Sequence, residues 1–158
     1  MSTTSMQQIQ DRLTWNQYFM EVARLIAKRS SCLRRQVGAV LVKNNMIIST
    51  GYNGAPKGIE SCLQTRKCIR QEFNVPSGER IELCKAVHAE QNAIVQAAVN
   101  GISTKGSILY CTHIPCITCT KLLINSEISQ IYYDKDYRDI EGLSLLRQAK
   151  IAINRIDK

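Results

Sequence analysis

Val37-Gly38-Ala39-Val40-Leu41-Val42-Lys43-Asn44-Asn45-Met46-Ile47-Ile48-Ser49-Thr50 is the stretch from which the rest of the chain is read. Two short apolar runs, 37–42 and 46–50, flank a pair of asparagines, a residue that tolerates the positive φ of a tight two-residue turn. The segment reads as a β-hairpin. Apolar residues fall on both faces of both runs, so both strands are expected to be covered above and below. Upstream, Trp15, Tyr18, Phe19, Val22 and Ile26 recur at helical spacing, and Thr14 with Gln17 fits a capping box; a helix is predicted over 14–29. Downstream, the pattern predicts a helix over 86–100 stopped by Gly101, a strand over 107–112 and a helix over 116–126. A strand over 128–134, a helix over 140–148 and a last strand over 150–154 follow. A hairpin and then alternating helices and strands make an α/β fold, with helices on both faces of a mixed sheet.

Between Gly51 and the second helix the apolar rhythm stops. Gly54, Pro56, Gly58, Pro76 and Gly78 punctuate a polar segment over about 55–84, read as an irregular insertion inside a single domain spanning 1–158. The 44% apolar and 22% charged residues exclude a largely disordered chain. The longest apolar runs fall far below the roughly 20 residues that cross a bilayer. Residues 1–10 are polar and carry no leader pattern, so the expected location is the cytoplasm, or the host cytoplasm for a viral protein. In that compartment seven cysteines read as thiols or metal ligands rather than disulfides. A net charge of +8 attracts phosphate, on a nucleotide or on a nucleic acid alike.

The chemistry is concentrated in His88-Ala89-Glu90 and Pro115-Cys116-Ile117-Thr118-Cys119. Cysteines three apart at a helix start share a face, and Pro115 suits the first turn, where a missing N–H does no harm. With His88 they supply three ligands, which leaves a tetrahedral zinc one position for water. Glu90, two residues from His88, points away from that face on a helix and is placed to carry protons. The pattern resembles the signature of zinc nucleobase deaminases. The structural alternative is a closed zinc site or a reduced thiol pair that stiffens the fold.

Beyond that signature the chain resembles the deoxycytidylate (dCMP) deaminases of bacterial and phage type, from Trp15 to the last strand. The resemblance runs through Arg29-Ser30, Gln36-Val37-Gly38-Ala39-Val40, Ile48 to Pro56, Val75 to Arg80 and His88 to Ile94. It implies a three-layer α/β/α cytidine deaminase-like fold around a mixed five-stranded sheet. The reaction it implies converts dCMP and water to dUMP and ammonia, supplying dUMP for dTMP synthesis. Glu90 becomes the catalytic residue, and His88, Cys116 and Cys119 the ligands of a catalytic Zn2+. Asn53 is implied as a substrate contact, the alternative being an ordinary turn asparagine. Ala89 and Thr112 join the substrate site. Arg29, Arg34, Arg35 and Arg138 are candidates for the phosphate, the alternative being solvated surface residues. Cys32, Cys62, Cys68 and Cys84 are either a second, structural zinc site or unligated thiols. Many family members are hexamers activated by dCTP and inhibited by dTTP, so the resemblance implies a homo-oligomer, a hexamer, with those effectors.

Two other functions stay open at this point. One is a deaminase acting on a base within RNA or single-stranded DNA; the basic residues, scattered without a basic-aromatic stripe, argue against a nucleic acid partner. The other is a non-catalytic zinc-bound interaction module, for which Glu90 would have no use.

Overall fold

The structure, a computed structural model, describes residues 12–136 and 141–156. Helix α1 (Trp15–Ala27) begins at the predicted cap: the Gln17 N–H donates to Thr14 Oγ1 at 3.3 Å, and the Thr14 N–H donates to Gln17 Oε1 at 2.9 Å. Strands β1 (Gly38–Lys43) and β2 (Met46–Tyr52) form the hairpin, with Asn44 and Asn45 at φ 51° and 58°. The insertion folds into two single-turn helices, α2 (Cys62–Thr65) and α3 (Ile69–Glu72), and a 3₁₀ turn, Ile81–Leu83. Then come α4 (Ala89–Val99), β3 (Ile108–His113), α5 (Ile117–Asn125), β4 (Gln130–Lys135), α6 (Glu141–Gln148) and β5 (Ala152–Arg155).

The five strands lie in the order β2-β1-β3-β4-β5, with β1 antiparallel to both neighbours and β3, β4 and β5 mutually parallel. Successive β1 side chains serve two cores. Ala39 and Leu41 join Ala89, Ala93, Leu123 and Leu146 under α4, α5 and α6, whereas Val40 and Val42 join Phe19, Met20 and Ala23 under α1. The expected three layers result. Among the described residues no helix is long and apolar enough to cross a membrane.

Three expectations need correction. The hairpin is not covered throughout: β2 is an edge strand, and Met46 and Ile47 at its start are 64% and 40% exposed. The buried face of α1 is Phe19, Met20, Ala23 and Ala27; Trp15 and Tyr18 lie outward, and Val22 and Ile26 only flank the core. Gly38 sets this rotation, because a Cβ there would stand 2.1 Å from the Ala23 carbonyl oxygen, an approach that only small residues on α1 permit. Finally, α4 starts three residues later than predicted. Val87 is extended because it exchanges backbone hydrogen bonds with Gly54, at 3.1 and 2.8 Å.

That bridge makes the insertion a closed excursion, leaving and rejoining the fold at one point. Within 55–84 the buried described residues are Ser61, Cys62 and Cys68, while Ile59, Leu63 and Phe73 stay exposed. The segment has almost no apolar core of its own.

Candidate active site

The site forms where the C-terminal ends of β2 and β3 meet the N-terminal end of β1, a placement enforced by the Gly38–Tyr52 and Ala39–Cys111 pairings. Ligand sites in open α/β sheets collect at such strand ends. The bridge through Val87 delivers His88 as the N-cap of α4, and its backbone N–H donates to Gln91 Oε1 at 2.9 Å. From the other side, β3 runs through Pro115 to Cys116, the N-cap of α5, whose sulfur accepts the Cys119 N–H at 3.5 Å. Two helix N-termini converge, and their exposed N–H groups favour negative charge between them.

His88 Nδ1 lies 3.5 Å from Cys116 Sγ and 3.3 Å from Cys119 Sγ, and all three ligand atoms lie within 4.8 Å of one another. The sulfurs share a proton unequally. A hydrogen bond from Cys119, helped by one from His88, pulls the Cys116 thiol down to about 4, and the same Cys116 contact with burial pushes the Cys119 thiol far up. The hydrogen bond to Cys116 raises His88 against the effect of burial. An imidazole nitrogen and two sulfurs form a donor set suited to Zn2+.

Glu90 contributes none of those three atoms. It is buried in the first turn of α4, and loss of hydration pushes its carboxyl up to about 7, with His88 and a Cys119 hydrogen bond opposing. A carboxyl in that range can accept and return a proton near neutral pH.

His88, Ala89, Glu90 and Cys116 line one cavity with Asn53, Arg34 and Arg35. Ala89 is fully buried there. The Asn53 amide is engaged on both sides: Oδ1 accepts the Val37 N–H at 2.8 Å and Nδ2 donates to the Arg35 carbonyl at 2.9 Å. It clamps the chain ahead of β1. Thr112 Oγ1 accepts the Gly38 N–H at 3.1 Å and lines a neighbouring groove with Arg24, Lys28 and Lys135. Arg29 is exposed and lines neither space. Arg138 lies outside the described residues. Cys32, Cys62, Cys68 and Cys84 line the active-site cavity too, and the Cys62 thiol is raised by burial and then by the charges of the other three. Among the described residues the compact donor group is His88 with Cys116 and Cys119.

Two lining residues carry no sequence signal. Arg70 comes from the aperiodic insertion. His113 ends β3 and is pushed down to about 4 by burial, then by Lys135 and Arg35, which keeps it neutral.

Residues 13–135 match the profile described as the cytidine and deoxycytidylate deaminase zinc-binding region. The deoxycytidylate deaminase of Schizosaccharomyces pombe is 38% identical over 145 residues, covering 91% of this chain and 44% of that protein. This chain thus spans less than half the length of that relative. The deoxycytidylate deaminase of Mycobacterium phage D29 is 37% identical over 130 residues, covering 79% of this chain and 98% of its own. The crystal structure of the cyanophage S-TIM5 dCMP deaminase in complex with dCMP and dUMP superposes with a TM-score of 0.74 at 33% identity, covering 88% and 94% of the two chains.

Proposed function

The chain belongs to the zinc-binding cytidine and deoxycytidylate deaminase family, and from that premise we propose that it hydrolyses dCMP to dUMP and ammonia. The observation that carries the reading is the buried Glu90 carboxyl beside the His88, Cys116 and Cys119 donors, with Glu90, His88 and Cys116 lining one cavity. A zinc ion held by those three residues supplies the Lewis acidity that makes water a nucleophile at neutral pH. Glu90 takes the proton that water releases and passes it to the ring nitrogen next to the reacting carbon; it then takes the remaining proton from the added hydroxyl, as that becomes the carbonyl, and delivers it to the departing amine. A C–O bond forms, the C–N bond breaks and ammonia leaves. Burial of Glu90 serves this shuttle, since a carboxyl with ordinary acidity would hold too little of the protonated form to return it.

The same reading gives a second zinc to Cys32, Cys62, Cys68 and Cys84. Its support is their shared cavity wall, the effect of the other three on Cys62, and an insertion in which two of the three buried residues are cysteine. Four thiolates close a tetrahedral shell. A homo-oligomer, a hexamer, with dCTP and dTTP as effectors and a cytoplasmic location complete the proposal; these rest on family membership alone.

The test is deamination by the purified protein of dCMP against single-stranded DNA and tRNA, followed by ammonia release and the loss of cytosine absorbance. Turnover of dCMP abolished by a zinc chelator and restored by zinc supports the proposal; dCMP left untouched by zinc-replete protein overturns it.

A further inference from the structure

Of the three arginines that line the cavity of His88 and Glu90, Arg34 and Arg70 come from different parts of the chain. Arg34, on the loop before β1, donates through Nη2 to the Val75 carbonyl at 3.1 Å. Arg70, on α3 of the insertion, donates through Nη2 to the Pro76 carbonyl at 3.1 Å. Both therefore converge on successive carbonyls of one corner. Each also keeps a nitrogen in reserve: Arg34 Nη1 and Arg70 Nε are buried and have no hydrogen-bond partner among the described residues.

A guanidinium holds its charge at any working pH and presents five N–H groups in a rigid fork. A backbone carbonyl satisfies one of them and neutralises nothing. Among the described residues neither arginine forms a salt bridge, and the one carboxylate lining the cavity is Glu90, which the chemistry occupies. Two half-buried forks, each with a buried unpartnered nitrogen and no carboxylate partner, suit an anion with several acceptor oxygens, the geometry at which arginine excels.

We infer that Arg34 and Arg70 form a two-armed clamp for the 5′-phosphate of the substrate nucleotide, with one arm supplied by the insertion. This inference rests on the dCMP reading and deepens it, by naming which residues distinguish a nucleotide from a nucleoside. It also gives the insertion a task. By holding Arg70 and the Val75–Pro76 corner against Arg34, the insertion makes phosphate recognition depend on its own folding.

The experiment compares kcat/KM for dCMP and for deoxycytidine in zinc-replete wild type, Arg34→Gln, Arg70→Gln and Arg70→Lys. Each glutamine variant lowers the dCMP-to-deoxycytidine ratio roughly 10- to 100-fold, mainly through KM for dCMP, as expected for losing a charge-assisted hydrogen bond. Arg70→Lys, which keeps the charge without the fork, falls between. Where deoxycytidine turnover is too slow to read, the dissociation constants of dUMP and deoxyuridine give the same ratio. If one glutamine variant fails to fold, the other arginine and the lysine variant carry the test. An unchanged ratio, or equal losses on both substrates, overturns the clamp while dCMP turnover leaves the reaction standing. A wild type inert to dCMP that binds dUMP in an Arg70-dependent way does the reverse.

Discussion

A Cβ placed on Gly51 would stand 2.1 Å from the Ala89 carbonyl oxygen and 2.5 Å from the Ala93 nitrogen. The end of β2 and the first turn of α4 thus meet as bare backbone, one residue from His88 and beside Glu90. Gly51→Ala forces that helix away. Overpacking of this kind costs about 1–3 kcal/mol or more, a Tm lower by roughly 2–12 °C for a chain of this size. Zinc affinity falls with it. Calorimetry showing a Tm within a degree of wild type would count against this contact.

Glu90→Gln preserves the shape of the side chain and removes its proton chemistry. The variant retains bound zinc and its fold, and turnover drops by roughly 100- to 10,000-fold, the usual contribution of a general acid–base group. Metal analysis and steady-state kinetics on one preparation decide it: full activity ends the assignment of Glu90.

Zinc content separates the two thiol readings. Purified protein is expected to hold two zinc ions per chain, and Cys62→Ser one, with a lower Tm because the insertion loses its buried anchor. One zinc per wild-type chain, with the catalytic site shown to be full, removes the structural site.

His113 gives the molecule a pH signature. Burial holds its folded-state value near 4, below the usual 6.5, so the unfolded chain binds the extra proton between those limits. Its contribution to stability is complete above pH 6.5 and is lost as pH falls towards 4. His113→Gln should flatten that part of the Tm–pH curve, and an identical slope in the two proteins would refute the assignment.

The donor group of the candidate site was legible because each of its halves is local. Cys116 and Cys119 share one helix start, and His88 and Glu90 another, so spacing gives each half, while the resemblance to the deaminase signature joins the two halves, 28 residues apart. The fold was legible through its apolar strands. What misled was close backbone approach: Ala23 and Ala27 carry the contact of α1 with Gly38, and alanine adds little to a hydrophobic rhythm, so Trp15 and Tyr18 dominated the pattern from outside the core. The start of α4 was misplaced because Val87 obeys a partner, Gly54, remote in sequence. Asn53, read as a substrate contact, lines the cavity while both ends of its amide grip the neighbouring backbone, a clamp that spacing does not announce. Arg70 was invisible for a similar reason: its position depends on the path of a segment without periodicity.

The single bridge between Gly54 and Val87 has an evolutionary corollary. Mutations that lengthen, shorten or replace the excursion need not disturb the segment that delivers His88, because the two rims are already stitched together. Descendants of such a chain can retailor what they recognise while inheriting the same reaction.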